Sequence, residues 1–381
     1  MHFSEKYYPQ QGITAQTSHY QAPNGIDEYH VILHVEPRDQ PFPQQLQRLY
    51  AIEDQLPTEP QYQGAQYILK RYFLSDSTNQ QPHLRHQPHI AQSYIQQQPL
   101  DGSKIAVWMY LQRGTTITTR HDTIISSHNG YHHLWKMNIH HPHGDSYQQT
   151  SHILQSYTAT LSQFGATLER NCLRTWFFVR DIDTQYHGLV QARKHHFATQ
   201  GLTQDTHYLA STGIQGLPSD TNAIIQMGTY AITGPSYRQE QQHYLYAPTH
   251  LNPTHQYGVT FERGVCIEYG DRAHALISGT ASIDNQGQVL HVGDIRQQTH
   301  RMWENVEALL AEAHMTFDDV MHNIVYLRDT ADYPLVRQMF KARYPHIPTI
   351  IALAPVCRPT WLIEMECIAV KQRTNKDHAE F

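Results

Sequence analysis

Part of this chain is written twice. Arg180-Asp181 returns as Arg328-Asp329 148 residues later, and Ala192-Arg193 returns as Ala342-Arg343 150 residues later. The turn between the two anchors therefore differs by two residues. The hydrophobic patterning around them agrees. From Gln148-Gln149-Thr150 a helical pattern (SHILQSYTATLSQFG) leads to a strand (LRTWFFVRD) and a second helix (YHGLVQARKHHF). From Gln297-Gln298-Thr299 the same order runs through HRMWENVEALLAEA, HNIVYLRD and YPLVRQMFKARY. A repeat at this spacing means one supersecondary unit used more than once.

Each copy reads β-β-α-β-α-β-β. Ile105–Leu111 and Ile117–Ser126 are expected to form the leading hairpin of the first copy, Ala273–Ser282 and Gln288–His291 that of the second. This predicts an α+β fold of two domains, 1–225 and 226–381, each a sheet with helices over one face. Ahead of the first copy, Tyr29–Val35 and Tyr67–Leu74 have strand character, Gln44–Leu56 has helical spacing, and the polar stretch 75–102 reads as a linker. Residues 1–100 fit either a shortened third copy or a decoration of the first domain. The packing logic is clearest in the helix after Thr299. Met302, Val306, Leu309 and Leu310 recur at i, i+4, i+7 and i+8 as one apolar stripe, with Glu304, Glu307 and Glu312 on other faces.

Composition excludes several classes. The 28 basic and 34 acidic residues leave a formal charge of −6, so no basic field exists to hold a nucleic-acid backbone. The apolar run Pro348–Val356 is too short to span a membrane, and MHFSEKYYPQQG lacks the pattern of a signal peptide. Four isolated cysteines, Cys172, Cys266, Cys357 and Cys367, fit neither a disulfide framework nor a zinc site. A cytoplasmic protein is the expectation. The 29 histidines include the runs His132-His133 and His140-His141-Pro-His143, but no H-E-x-x-H and no carboxylate at ligand spacing, so no metal is expected. Gly-rich phosphate loops are absent, and no organic cofactor is implied.

The closing strand, Trp361–Val370, carries the first candidate chemistry. Glu364 and Glu366 share one of its faces. Two carboxyls this close repel, burial disfavours charge further, and both effects raise the pKa of one of them. Such a Glu donates a proton near neutral pH. The alternative is an edge-strand pair of acids, solvated or paired with Arg. Cys357, seven residues before Glu364, fits a small pocket-wall residue better than a nucleophile, having no recognisable His-Asn partner. Between the copies lie Arg238, Tyr244 and Arg263. Arginines on loops that bracket a domain boundary suit carboxylates, because the guanidinium fork binds them with two hydrogen bonds. Arg193 has a repeat mate in Arg343, so the fold itself is a second reason for an arginine there. Arg174 has no such mate, since His322 holds the equivalent place. The small residues of Ser278–Ser282 would let a backbone or ligand approach closely.

The second copy resembles the RidA/YjgF family through Leu276–Ala281, the helix from Thr299, Val325–Arg328 and Ile363–Ala369. That family hydrolyses enamines and imines and forms trimers with sites between subunits. Its carboxylate-binding Arg would fall near Thr349, where this chain has none, so the deaminase reading loses its anchor. A wider resemblance covers both copies and is to the chorismatases, two-domain relatives of RidA. It rests on Arg174-Thr-Trp176, Ala192-Arg193, Ser211–Gly216, Tyr237-Arg238-Gln239 with Tyr244–Tyr246, Phe261–Arg263, Ser278–Ile283 and Cys357-Arg358.

The resemblance implies domains like the small trimeric chorismate mutase and a chorismate-cleaving, pyruvate-releasing activity without metal or cofactor. Glu364 would be the acid and Cys357 its neighbour. Arg193, Arg238, Arg263 and Tyr244 would bind the substrate's two carboxylates. The product would be a hydroxybenzoate or a dihydroxycyclohexadiene carboxylate, with Cys357 tilting the expectation toward the former. The protein would be a monomer or a homotrimer. A non-catalytic RidA-like binding module is the third reading.

Overall fold

A computed structural model describes residues 1–22 and 25–381, the Tyr257 side chain excepted. It contains three six-stranded sheets. The first unit runs β1 (His2–Tyr8), β2 (Ile13–Tyr20), β3 (Asp27–Val35), α1 (Phe42–Gln55), β4 (Ala65–Leu74), α2 (Ser77–Gln80), β5 (Ala91–Gln96) and β6 (Ile105–Arg113). The second runs β7 (Thr116–Arg120), β8 (Thr123–His128), β9 (Tyr131–His140), α3 (Ser146–Ser162), α4 (Leu168–Asn171), β10 (Cys172–Val179), α5 (Ile182–Thr199), β11 (Ala210–Gln215) and β12 (Ile225–Thr233). The third runs β13 (Gln242–Leu245), β14 (Gly264–Glu268), β15 (Arg272–Ala281), α6 (Ile295–Glu312), β16 (Val320–Leu327), α7 (Tyr333–Arg343), β17 (Thr349–Leu353) and β18 (Ile363–Gln372).

The α+β expectation holds, but the unit count is corrected from two to three. The stretch 75–102 is not a linker. It holds α2 and β5, and β5 pairs in parallel with β4 from Leu69↔Ala91 to Leu74↔Gln96. Nor does Ile105–Leu111 open the second unit. As β6 it closes the first sheet between β3 and β4. The expected division after residue 225 falls inside β12, which pairs with β9 and β10, so the second sheet runs on to Thr233. Gln288–His291 forms no strand, and the hairpin partner of β15 is β14.

Local chemistry explains the elements. Asp294 caps α6 by accepting the Gln297 N–H, and the Met302, Val306, Leu309 and Leu310 stripe is wholly buried. Asp145 and Gln148 form a reciprocal capping box at the start of α3. β16 (VMHNIVYL) is buried along its whole length between β17 and β18, as a strand covered on both faces must be.

The three sheets close on one another. Short bridges join Gln96 to Leu217, Ile214 to Val356, and Pro99 to Ala352. The strands β5, β11 and β17 are edges of their own sheets, and this cyclic contact shields them from outside pairing. Separate cores lie under α1 and under the α3–α5 pair, while the largest apolar cluster joins the third unit to the seams between sheets.

Candidate active site

β18 is a central strand, flanked by β15 and β16, so the edge-strand reading of its two acids is corrected. Glu364 and Glu366 point the same way, into the meeting place of the three sheets, and are 5% and 3% exposed. Burying two carboxyls together is costly unless one is fully paired.

Glu366 is the paired one. Arg71 Nη1 from β4 donates to Oε1 at 3.0 Å, and Arg174 Nη2 from β10 donates to Oε2 at 2.6 Å. Trp176 Nε1 and the Tyr326 hydroxyl each donate to Oε1 at 3.1 Å, and the Thr212 hydroxyl donates to Oε2. All three units thus contribute a donor. Burial opposes ionisation here, but Arg174, Arg71 and Thr212 outweigh it and hold this carboxyl below its ordinary range.

Glu364 is the opposite case. Burial, reinforced by the neighbouring Glu366 charge, pushes its carboxyl up to about 8, against the pull of Arg174 and Arg263. Space for it comes from Gly279, in the small-residue run of β15, where a Cβ would overlap the Glu364 carboxylate. The Gly279 N–H donates to Thr212 Oγ1 at 2.9 Å, which ties this backbone to the Glu366 network.

Glu364 faces a cavity of about 400 Å³ between α5 and β11 of the second unit and β15 and β18 of the third. Arg193, Arg263, Arg358 and Cys357 share its lining. Arg193, on α5, is 1% exposed, and its Nε donates to Thr260 Oγ1 at 3.1 Å. Its repeat mate Arg343 instead reaches out to Glu307 at 2.6 Å and stacks on Trp303, so the fold does not demand a buried arginine at this point. Arg263 is held by Asn252, whose backbone and side-chain oxygens accept from Nη2 at 3.1 and 3.0 Å. The Arg328 guanidinium forks onto the carboxylate of Asp183, a lining residue, at 2.8 and 2.9 Å and joins the two units.

Two expected roles are corrected. Arg238 is exposed, and its Nη1 donates to the Pro235 and Tyr237 carbonyls, away from the cavity. Tyr244, on the edge strand β13, stacks on His207 and donates to Gln242 Oε1 at 3.0 Å, and it does not line the cavity either. Cys357 is a cavity wall, the reading the sequence favoured, and burial and the Glu364 charge push its thiol up to about 12, which leaves no thiolate to act as a nucleophile. Among the described residues no three His, Cys, Asp or Glu side chains converge as a metal site would require, and no helix is long and apolar enough to cross a membrane.

Arg71 and Tyr326 did not stand out in the sequence. For Arg71 a signal was present: Lys70 and Arg71 interrupt an otherwise apolar strand, YILKRYFL, and a base buried in a strand needs an acid.

Against known proteins, the family model Endoribonuclease L-PSP matches residues 266–371. The 3-aminoacrylate deaminase RutC of Acinetobacter baylyi is 36% identical over 69 residues, which is 18% of this chain and 55% of that protein. The chain therefore spans about half the length of this relative. A RutC family protein of Pyrococcus abyssi is 33% identical over 99 residues, 26% of this chain and 78% of that protein. Among solved structures, a chorismatase superposes with a TM-score of 0.65 at 17% identity, covering 82% of this chain and 95% of the other, a likeness of fold. The chain belongs to the RutC family, within the RidA/YjgF superfamily, and carries its sheet-and-helix units in a chorismatase-like fold.

Proposed function

We propose that this chain is a chorismatase, which cleaves chorismate and releases pyruvate. The observation that carries the reading is Glu364: a buried carboxyl, protonated at neutral pH, facing a cavity whose walls include Arg193 and Arg263. Chorismate is a dicarboxylate with an enolpyruvyl ether, and two carboxylates call for two guanidinium groups. The volume suits a substrate of that size.

Glu364 would give its proton to the terminal CH₂ of the enol ether, which becomes a methyl group, and positive charge develops as an oxocarbenium ion. Water attack gives a hemiketal that collapses to pyruvate and the ring alcohol, and the proton released returns to Glu364. Attack by the neighbouring ring hydroxyl instead consumes no water and leads, after aromatisation, to a hydroxybenzoate and pyruvate. Neither route needs a redox partner. Burial, reinforced by the charge on Glu366, keeps Glu364 neutral between turnovers. Both cavity walls come from one chain, so a single chain would be the catalytic unit. The deaminase alternative draws support from the relative of that name, but Thr349 stands where its carboxylate-binding Arg is expected, and it lines a different cavity.

The test is incubation of the purified protein with chorismate, with pyruvate read by a coupled dehydrogenase and aromatic products resolved by chromatography. Pyruvate release well above that of the Glu364→Gln variant supports the reading. Equal, background-level release from both removes it.

A further inference from the structure

The first cavity has a counterpart. A second cavity of about 410 Å³ lies between α7 and β17 of the third unit and β2, β3 and β6 of the first. The two are related position by position. At the helix offset of 150 residues, His187 and Gln191 of the first become Arg337 and Lys341 of the second. On the parallel edge strands, Ser211 and Gly213 become Thr349 and Ile351, because Thr175↔Ser211 is matched by Asn323↔Thr349. On the facing sheet, the pair Ala281↔Glu364 becomes His34↔Ala106.

Two of these exchanges decide what the second cavity can do. Ala106 replaces the acid, so the place held by Glu364 in the first cavity carries no carboxyl in the second. Arg337 and Lys341, four residues apart on one face of α7, add two positive charges where the first cavity has a histidine and an amide. The acids of the lining are already engaged. Asp101 accepts from the Ser103 N–H at 3.0 Å and hydroxyl at 2.6 Å, with His34 at 3.3 Å, and Glu5 accepts from Gln16 Nε2 at 2.9 Å. Among the described residues neither Arg337 nor Lys341 pairs with a carboxylate. Tyr333, Phe340 and Tyr344 add flat apolar walls.

We propose that this second cavity is a binding site for a small aromatic or cyclic carboxylate, which it holds without transforming. The carboxylate would sit on Arg337 and Lys341 and the ring against the aromatic wall. The inference rests on the second cavity alone and stands whether or not the first one cleaves chorismate.

The test is calorimetric titration of the full chain with 3-hydroxybenzoate as the probe. The expected result is one equivalent bound in the second cavity, beside any taken by the first. That equivalent weakens at least tenfold in the Arg337→Ser/Lys341→Ser double variant and persists in Glu364→Gln. Chorismate turnover by the double variant, where measurable, should match that of the unmodified chain. Both substitutions are on the exposed face of a helix and leave the core intact. Absence of any bound equivalent in the unmodified protein overturns the proposal, as does an unchanged isotherm in the double variant. Displacement of the probe by an equal concentration of inorganic phosphate overturns the assigned ligand class, since it would mean that charge alone is read.

Discussion

Glu364 and Glu366 stand two residues apart on one face of β18 and are held in opposite protonation states. Five donors drawn from three sheets converge on Glu366 and keep it charged. Glu364 is pushed up to about 8 by burial and by that charge. One acid is fixed as an anion, and the anion helps to fix its neighbour as a proton donor.

Glu364→Gln should lower kcat for pyruvate release by about 10²–10⁴-fold, the usual share of a general acid. In the unmodified protein kcat should fall as pH rises through about 8, where Glu364 loses its proton. The same group makes a stability prediction. Its folded pKa lies above its unfolded value, so the folded state holds the extra proton and loses stability as pH rises toward about 8, by up to about 1.4 kcal/mol per pH unit. Gln has no such proton. Thermal melts should show Glu364→Gln gaining on the unmodified protein between pH 5 and pH 8, and parallel melting curves would refute this.

Glu366→Gln removes the counter-charge of two buried guanidinium groups, Arg71 and Arg174. Leaving them uncompensated should cost about 3–5 kcal/mol, read as a lower denaturant midpoint. With the repelling charge gone and both arginines freed, the Glu364 pKa should fall. The alkaline limb of the kcat profile should therefore move to lower pH, and an unmoved limb would separate the two acids functionally.

The sequence made legible whatever was local or repeated: the second and third units, the stripe of α6, and the shared face of Glu364 and Glu366. The first unit was obscured because its second helix has shrunk to Ser77–Gln80, which erased the pattern that marks the other copies. The partners of Glu366 were hidden by distance, Arg71 lying 295 residues away in sequence. Arg193 and Arg263 were singled out by the chorismatase resemblance, and both line the cavity. Arg238 and Tyr244 were misplaced because nothing in a sequence says which side of a loop a side chain takes. Arg238 turns to its own turn's carbonyls, and Tyr244 to its strand neighbour Gln242.

The placements of Arg263 and Arg238 are separable by kinetics. Arg263→Ala removes a charged wall of the cavity and should lower kcat/KM for chorismate about 10–100-fold, the worth of a charge-assisted hydrogen bond or two. Arg238→Ala alters an exposed side chain outside the cavity, and kcat/KM should stay within about twofold. A large loss in Arg238→Ala would mean that the 235–241 segment folds over the substrate.

Cys357→Ala tests the role of the thiol. With its pKa pushed up to about 12, the group is a thiol throughout the neutral range, and covalent catalysis through it is disfavoured. Pyruvate release should persist within about tenfold, the loss reflecting a reshaped wall rather than a missing nucleophile. Iodoacetamide at pH 7.5 should label this position slowly. Complete loss of turnover in Cys357→Ala would restore it to the chemistry.

Gly279→Ala is the most demanding test of the geometry. The added methyl would overlap the Glu364 carboxylate on one side, and Thr212 Cγ2 stands 3.1 Å from it on the other. Neither neighbour yields easily: Glu364 lies on a central strand, and the Thr212 hydroxyl is committed to Glu366. Overpacking of this kind costs about 1–3 kcal/mol. A displacement of the acid by about 1 Å should lower kcat about 10²-fold with a smaller change in KM. The compensating change is specific. Glu364→Asp shortens the acid by one methylene, so the double variant Gly279→Ala/Glu364→Asp should recover thermal stability relative to Gly279→Ala without recovering kcat. If the double variant is no more stable than the single, the close approach of Gly279 to Glu364 is not what the glycine is for.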